Sequence, residues 1–253
     1  MRFTWFEVAG GVARARAEFA AERIPDHTLE QMAGIYSSGG VVAIATDTVY
    51  GLSALVDGDG VSKVFAAKGR PREAALPVFA PSIDAALSLC NPGDALAAER
   101  LKALASELWP GALTVVMTRA PTFKADLGGP DSTTVGIRVP RGAVLAQLLE
   151  RVGPFVATSA NLHGRRPITR YGEFFTADNA PLLAHLDGIL SDDSPPIGTP
   201  STVADLRGDA VRILRRGAIS EKDILRPLRS PIEANVHSRA ESRQRGCHDR
   251  GAG

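Results

Sequence analysis

Cysteine is scarce in this chain: there are two, Cys90 and Cys247. The first falls on an apolar helical stripe and the second in a polar C-terminal stretch, so neither a disulfide framework nor a cysteine metal site is expected. This usage fits a reducing cytoplasm. The histidines His27, His163, His185, His237 and His248 stand far apart, without metal-ligand spacing. No apolar run approaches the ~20 residues of a membrane span. The first residues, Met1-Arg2-Phe3-Thr4-Trp5, lack the apolar core of a secretory signal. No membrane association is therefore expected. Charge of one sign is also lacking: the net charge is +1, so any attraction for anions must be local. There is no G-x-x-x-x-G-K-[ST] loop and no G-x-G-x-x-G after a strand. The nearest approach to a nucleophile elbow, Thr158-Ser159-Ala160, has no flanking glycines. These absences disfavour metal hydrolase and serine hydrolase chemistry.

What is present is an ordinary globular composition, 44% apolar and 23% charged over 253 residues, enough for one large domain or two small ones. Residues 41–70 organise the rest. Val41-Val42-Ala43-Ile44-Ala45 reads as a buried strand after Gly39-Gly40. Thr46, Asp47, Thr48 and Tyr50 bring hydroxyls and a carboxylate to its end, and Gly51 lets the chain turn. A short helix capped by Asp59, with Val61, Val64 and Phe65 on one stripe, is expected to follow at once and to end in Lys68-Gly69-Arg70-Pro71. Upstream, residues 1–25 form a weakly patterned arm in which Ala13 to Ala21 favours helix. Asp26 is a candidate N-cap for a helix carrying Leu29, Met32, Ala33 and Tyr36.

Downstream, strands are expected at Leu76–Ala80, Leu113–Met117, Thr134–Pro140, Phe155–Thr158, Ile189–Leu190, Thr202–Ala204 and Val211–Arg215. Amphipathic helices begin at Ser82, around Leu101, around Val144 and at the Ser220/Asp223 capping pair. Strands mixed with helices throughout predict one α/β domain, residues 26–228, with a mixed sheet. Residues 229–253 are polar and Arg-rich, without periodicity, and are expected to be disordered.

Polar clusters collect at strand ends: Thr46/Asp47/Thr48, Thr134/Arg138, Ser159/Asn161 and Ser201/Thr202, with Lys68, Arg70 and Arg215 adding cations. Small hydroxyls orient a polar ligand, and Lys and Arg supply charge for phosphates. Each cluster has a bland reading. Threonine is a good strand residue, a K-x-R turn is usually a solvated face, and S-x-N often only makes a turn. Their co-occurrence is what favours an anion site, of the kind a phosphoanhydride reaction needs.

Taken in order, Thr46-Asp47-Thr48-Val49-Tyr50-Gly51-Leu52, Lys68-Gly69-Arg70-Pro71, Trp109-Pro110-Gly111-Ala112-Leu113-Thr114, Val135-Gly136-Ile137-Arg138-Val139-Pro140, Ser159-Ala160-Asn161, Ser201-Thr202-Val203 and Leu214-Arg215-Arg216-Gly217 resemble the YrdC-like threonylcarbamoyl-AMP synthases. The match runs from about Leu29 to Ile219. The resemblance implies a twisted, mixed parallel/antiparallel sheet with flanking helices around a basic cavity. It implies L-threonylcarbamoyladenylate synthase activity: L-threonine, bicarbonate and ATP with Mg²⁺ give threonylcarbamoyl-AMP, pyrophosphate and water. It also implies a downstream complex that passes the threonylcarbamoyl group to tRNA.

By the same resemblance Lys68, Arg70, Ser159 and Asn161 are catalytic. Thr48, Arg138, Ser159 and Ser201 hold threonine, and Lys68, Arg70, Thr134, Asn161, Thr169 and Arg215 contact ATP. The chain departs from the family pattern at Ala45, where a proline is usual, and at Ala74 and Phe79, where Asn and His are usual. At this length no counterpart of the second domain of longer relatives is expected. Two alternatives stay open: a relative using another carbamoyl-adenylate, and a non-catalytic RNA-binding paralogue. The tail arginines, Arg239, Arg243, Arg245 and Arg250, offer a salt-sensitive contact to RNA.

Overall fold

The structure is a computed structural model and describes residues 2–9, 12–13, 17–20, 23–91, 93, 95–192 and 196–228. The Arg-rich segment 229–253, expected to be disordered, lies outside the described residues. The strands are β1 (Arg2–Ala9), β2 (Val12–Ala13), β3 (Ala17–Ala20), β4 (Val42–Ile44), β5 (Gly51–Leu55), β6 (Val78–Phe79), β7 (Leu113–Thr118), β8 (Thr134–Arg138), β9 (Phe155–Ser159), β10 (Gly188–Asp192), β11 (Thr202–Asp205) and β12 (Arg212–Arg215). The helices are α1 (Asp26–Ser37), α2 (Gly60–Lys68), α3 (Ile83–Ser88), α4 (Ala95–Leu108), α5 (Ala143–Val152), α6 (Ala180–Leu183) and α7 (221–228).

One sheet runs through the described residues in the order β12-β11-β7-β8-β6-β9-β5-β4-β10-β1-β2, with β3 pairing β1. The pairs β11/β7, β6/β8 and β10/β4 are parallel and the others antiparallel, so the sheet is mixed as expected.

Strand alternation sends successive side chains to opposite faces, and each face gathers its own apolar cluster. Val42, Ile44, Phe79, Phe155 and Ala157 pack beneath α1 and α5 with Met32, Tyr36, Leu145 and Leu148. On the other face Leu52, Ala54, Val78, Leu113, Val115, Ile137 and Ala204 pack with Val64 and Phe65 of α2 and Leu101 and Leu104 of α4. Each such buried Val, Leu, Ile, Phe or Met side chain contributes about 1.5–3 kcal/mol. The α1/α5 layer covers its face only over the middle strands. The rest of that face, from the ends of β5 and β9 across β6 to β8, β7 and β11, lines the site.

Three expectations are corrected. The chain does not pass from the Thr-rich loop straight to a helix: β5 intervenes and pairs with both β4 and β9. Its residues Gly51-Leu52-Ser53-Ala54-Leu55 carry weak strand propensity, and the strand owes its place to neighbours on both sides, with Ser53 bonded to Val42 O and Tyr36 Oη. Asp26 lies in the first turn of α1, and the N-cap position is Pro25, with no side-chain cap. Within Ala13–Ala21, expected to favour helix, Ala17–Ala20 is instead a strand on β1. Asp59 does occupy the N-cap position of α2, without a side-chain bond. Ser82 caps α3 by accepting from Ala85 N at 3.1 Å, and Ser220 accepts from Asp223 N at 3.2 Å.

Candidate active site

The open part of the sheet face holds a cavity of about 380 Å³, within the usual range for small-molecule sites. Period-two alternation builds its floor. Thr134, Gly136 and Arg138 of β8, Thr114 and Val116 of β7, Ser201 just before β11 and Val203 within it, Pro77 just before β6 and Phe79 within it, and Ala157 and Ser159 of β9 all line it. The neighbouring residues Val135, Ile137, Leu113, Val115 and Ala204 go to the core on the far side. The loop between β4 and β5 supplies Thr46, Thr48 and Tyr50 to the wall, and Arg70 and Arg215 also line it.

Arg138 is 3% exposed, and its guanidinium is held on several sides. Nε donates to Gly111 O at 2.9 Å, one terminal nitrogen to Thr48 Oγ1 at 3.1 Å and the other to the Asp47 carboxylate. The Phe79 ring lies 5.1 Å from its central carbon. Of five N–H groups these bonds use three, so one on each terminal nitrogen remains for an incoming oxygen pair. Burial lowers the Arg138 pKa to about 10, with Asp47 opposing the shift and Arg215 adding to it. Thr46 Oγ1 gives its proton to Val49 O at 2.6 Å, so the 3.0 Å contact with Thr48 is donated by Thr48. Thr48 therefore accepts from Arg138 and donates to Thr46, and its orientation is fixed.

The K-x-R turn splits its two cations. Gly69, with φ 58°, ends α2 in the left-handed region that glycine adopts freely. Arg70 lines the cavity, with its guanidinium held by Ala74 O at 2.8 Å and Ala75 O at 3.1 Å. Lys68 instead points inward and is 2% exposed. Its Nζ donates to Ser159 O, to Asn161 Oδ1 at 2.9 Å and, at 3.4 Å, to Ser159 Oγ. Burial, with Arg70 beside it, lowers the Lys68 pKa to about 7. Asn161 has no bonding capacity left over. Oδ1 takes Lys68 and, at 2.6 Å, Ser159 Oγ, while Nδ2 donates to Leu162 O at 2.8 Å and Arg165 O at 2.9 Å. Ser159 is thus the member of this trio that lines the cavity, with Lys68 and Asn161 behind it.

Arg215 donates to Ser201 O at 2.8 Å and Ser201 Oγ at 3.1 Å, and Ser201 Oγ meets Thr114 Oγ1 at 2.9 Å. Gly217 permits this, since a Cβ there would collide with Pro200 O and Ser201. Burial lowers the pKa of Arg215, and burial with nearby Arg215 lowers that of Arg70. Arg70, Arg138 and Arg215 therefore crowd one cavity, with Asp47 paired to Arg138, and an anion entering beside them relieves their mutual repulsion.

Of the residues singled out from the sequence, Thr48, Arg70, Thr134, Arg138, Ser159, Ser201 and Arg215 line the cavity. Lys68 and Asn161 act from behind Ser159. Thr169 is not among the lining residues; its Oγ1 donates to Glu173 at 3.4 Å. Asp47 belongs to the strand-end cluster read from the sequence without a role of its own, and Asp131 and Arg207 belong to no motif. The first bonds Arg138 and the other two line the cavity. Phe79 lies under Arg138, 6.1 Å from the Phe155 ring, and also lines the cavity. Cys90 is buried, its thiol pushed up to about 11 by burial, and it stays protonated. No group of three or more His, Cys, Asp or Glu able to hold a metal occurs among the described residues. Among them, no helix is long and apolar enough to cross a membrane.

Comparison with known proteins places this geometry among relatives. The Sua5/YciO/YrdC family model, described as telomere recombination, matches residues 35–217. The threonylcarbamoyl-AMP synthase of Bacillus subtilis is 34% identical over 201 residues, 79% of this chain and 56% of that protein. A putative threonylcarbamoyl-AMP synthase of Mycobacterium tuberculosis is 32% identical over 77% of this chain and 86% of its own length. The crystal structure of Pyrococcus abyssi Sua5 complexed with L-threonine superposes with a TM-score of 0.71 at 29% identity, over 82% of this chain and 59% of that one. The chain thus spans a little over half the length of the Bacillus and Pyrococcus relatives.

Proposed function

The chain belongs to the Sua5/YciO/YrdC family, and on that premise we propose that it is an L-threonylcarbamoyladenylate synthase. It joins L-threonine, bicarbonate and ATP into threonylcarbamoyl-AMP with release of pyrophosphate and water. The observation that carries this reading is the convergence of Arg70, Arg138 and Arg215 on one cavity beside the small hydroxyls of Thr46, Thr48, Ser159 and Ser201, with Asp131 and Arg207 on the same lining. That set suits a small hydroxylated carboxylate beside a polyphosphate.

In this reading the two remaining N–H groups of Arg138 fork onto the threonine carboxylate, with Thr48 and Ser201 beside it. The threonine amine captures the carbon of bicarbonate with loss of water, giving a carbamate. A carbamate oxygen then attacks the α-phosphorus, and pyrophosphate leaves as the phosphoanhydride bond breaks. Arg70 and Arg215 face the leaving phosphates, where preorganised cations stabilise the charge that builds up. Ser159, set by Lys68 and Asn161, presents its hydroxyl to the same centre. Mg²⁺ travels with the nucleotide as part of the substrate, since the site offers cations rather than a carboxylate cluster.

The product serves a complex that modifies tRNA, which fits a cytoplasmic location. The tail arginines are the candidate for a weak RNA contact. The test is pyrophosphate release with all three substrates and with each omitted in turn, the product identified by mass. Release that needs all three, with the mass of the threonine adduct, is the expected result. Release independent of threonine, or a different adduct, overturns the assignment in favour of another carbamoyl-adenylate. No release at all favours a binding paralogue.

A further inference from the structure

At the opposite end of β8 from Arg138 the cavity wall changes character. Thr134 stands four residues from Arg138, about 13 Å along the strand. There Arg207 and Asp131 line the cavity together, brought in from the end of β11 and from the loop before β8. Arg207 is braced. Nε donates to Asp205 Oδ1 at 2.9 Å and a terminal nitrogen to Asp205 Oδ2 at 3.0 Å, and Asp205 is itself 3% exposed and also bonded by Arg212. The other terminal nitrogen donates to Asp131 Oδ2 at 3.2 Å. On its far oxygen Asp131 accepts from Thr133 N at 2.9 Å and Thr133 Oγ1 at 2.5 Å. These Thr133 bonds, with Arg207, hold the Asp131 carboxyl below its ordinary range, so it is an acceptor only. Donor counting leaves Arg207 one N–H on each terminal nitrogen and leaves Asp131 Oδ2 a lone pair beside them.

We propose that Asp131 and Arg207 form a ribose-reading pair that grips the sugar hydroxyls of the bound nucleotide. This rests on the nucleotide reading of the cavity given above. The chemistry selects the group. A phosphate would meet the Arg207 donors but would be repelled by the Asp131 carboxylate. A hydroxyl satisfies both at once, accepting from Arg207 and donating to Asp131, and a vicinal diol can do so twice. The pair also lies at the end of the cavity away from Arg138, where an extended nucleotide with its reacting phosphate near the other cations would place its sugar. Because Arg207 is fixed by a buried carboxylate, little side-chain freedom is lost on binding.

The experiment measures, by calorimetry without threonine, the binding of ATP, 2′-deoxy-ATP and 3′-deoxy-ATP to the unmodified 253-residue chain and to Arg207→Gln and Asp131→Asn. The unmodified protein should bind at least one deoxy analogue tenfold or more weakly than ATP. Each variant should lose roughly that factor for ATP and no longer tell the nucleotides apart, while its threonine affinity stays within twofold. Equal binding of all three nucleotides by the unmodified protein overturns the proposal without any variant. So does discrimination that survives in both variants. If the variants keep ribose discrimination but lose a preference for ATP over inosine triphosphate, the pair reads the base and the ribose assignment is wrong. Failure of the unmodified protein to bind ATP at all would instead refute the nucleotide reading of the whole cavity.

Discussion

Replacing Lys68 by methionine separates its cost to the fold from its use to the site. Lys68 is 2% exposed, and its pKa falls from 10.5 to about 7, by burial first and then by Arg70. The sign follows directly. Between those two values the folded protein has released a proton that the unfolded chain still holds, so stability rises with pH across this window. The full slope is about 1.4 kcal/mol per pH unit. From pH 7 to 9, starting from a half-titrated group, Lys68 adds about 2 kcal/mol. Lys68→Met abolishes that rise. It also strips one donor from Ser159 O, which costs about 1–3 kcal/mol, while Asn161 Oδ1 keeps Ser159 Oγ. Removing the buried charge offsets this by a similar amount, so at pH 7 the variant should unfold within about 2 kcal/mol of the parent. Urea unfolding of both proteins at pH 7, 8 and 9 gives the difference, and the contribution of Cys90, common to both, cancels. Pyrophosphate release should meanwhile fall roughly a hundredfold or more, as loss of a preorganised charge does. A variant with the same pH slope as the parent would refute the buried, depressed ammonium. One that kept full turnover would refute its place behind Ser159.

Arg70→Ala should also cut turnover by roughly a hundredfold or more, with melting temperature nearly unchanged, because among the described residues Arg70 bonds the local carbonyls of Ala74 and Ala75. Parental turnover would remove it from the phosphate side. Phe79→His puts a hydrogen-bonding ring under Arg138 and should tighten threonine roughly three- to tenfold, the worth of one such bond. The threonine dependence of pyrophosphate release checks this, and an unchanged dependence would show that position 79 acts only as a floor.

Much of the fold was legible in local pattern. The buried run at Val41–Ala45, the alternation of Thr134, Gly136 and Arg138 with apolar neighbours, and the stripe of Val144, Leu145, Leu148 and Leu149 each state an element and its buried face. Ordered motifs likewise marked Thr48, Arg70, Arg138, Ser159, Ser201 and Arg215; alternation along β8 and β9 is why Arg138 and Ser159 share a face, while Thr48 and Arg70 reach it from a loop and a turn. Tertiary structure alone decided the rest. β5 has little propensity of its own and is a strand because β4 and β9 flank it, which no window of five residues can express. Lys68 and Arg70 are two residues apart, yet one is buried behind Ser159 and the other lines the cavity, because the left-handed turn at Gly69 parts them and Asn161, 93 residues on, receives the lysine. Arg207 and Asp131 are 76 residues apart and belong to no motif. Their pairing exists only where the end of β11 passes the loop before β8. Local pattern fixes which way a side chain faces, since that depends on backbone period, but which charges meet depends on chain crossings that only the assembled sheet defines.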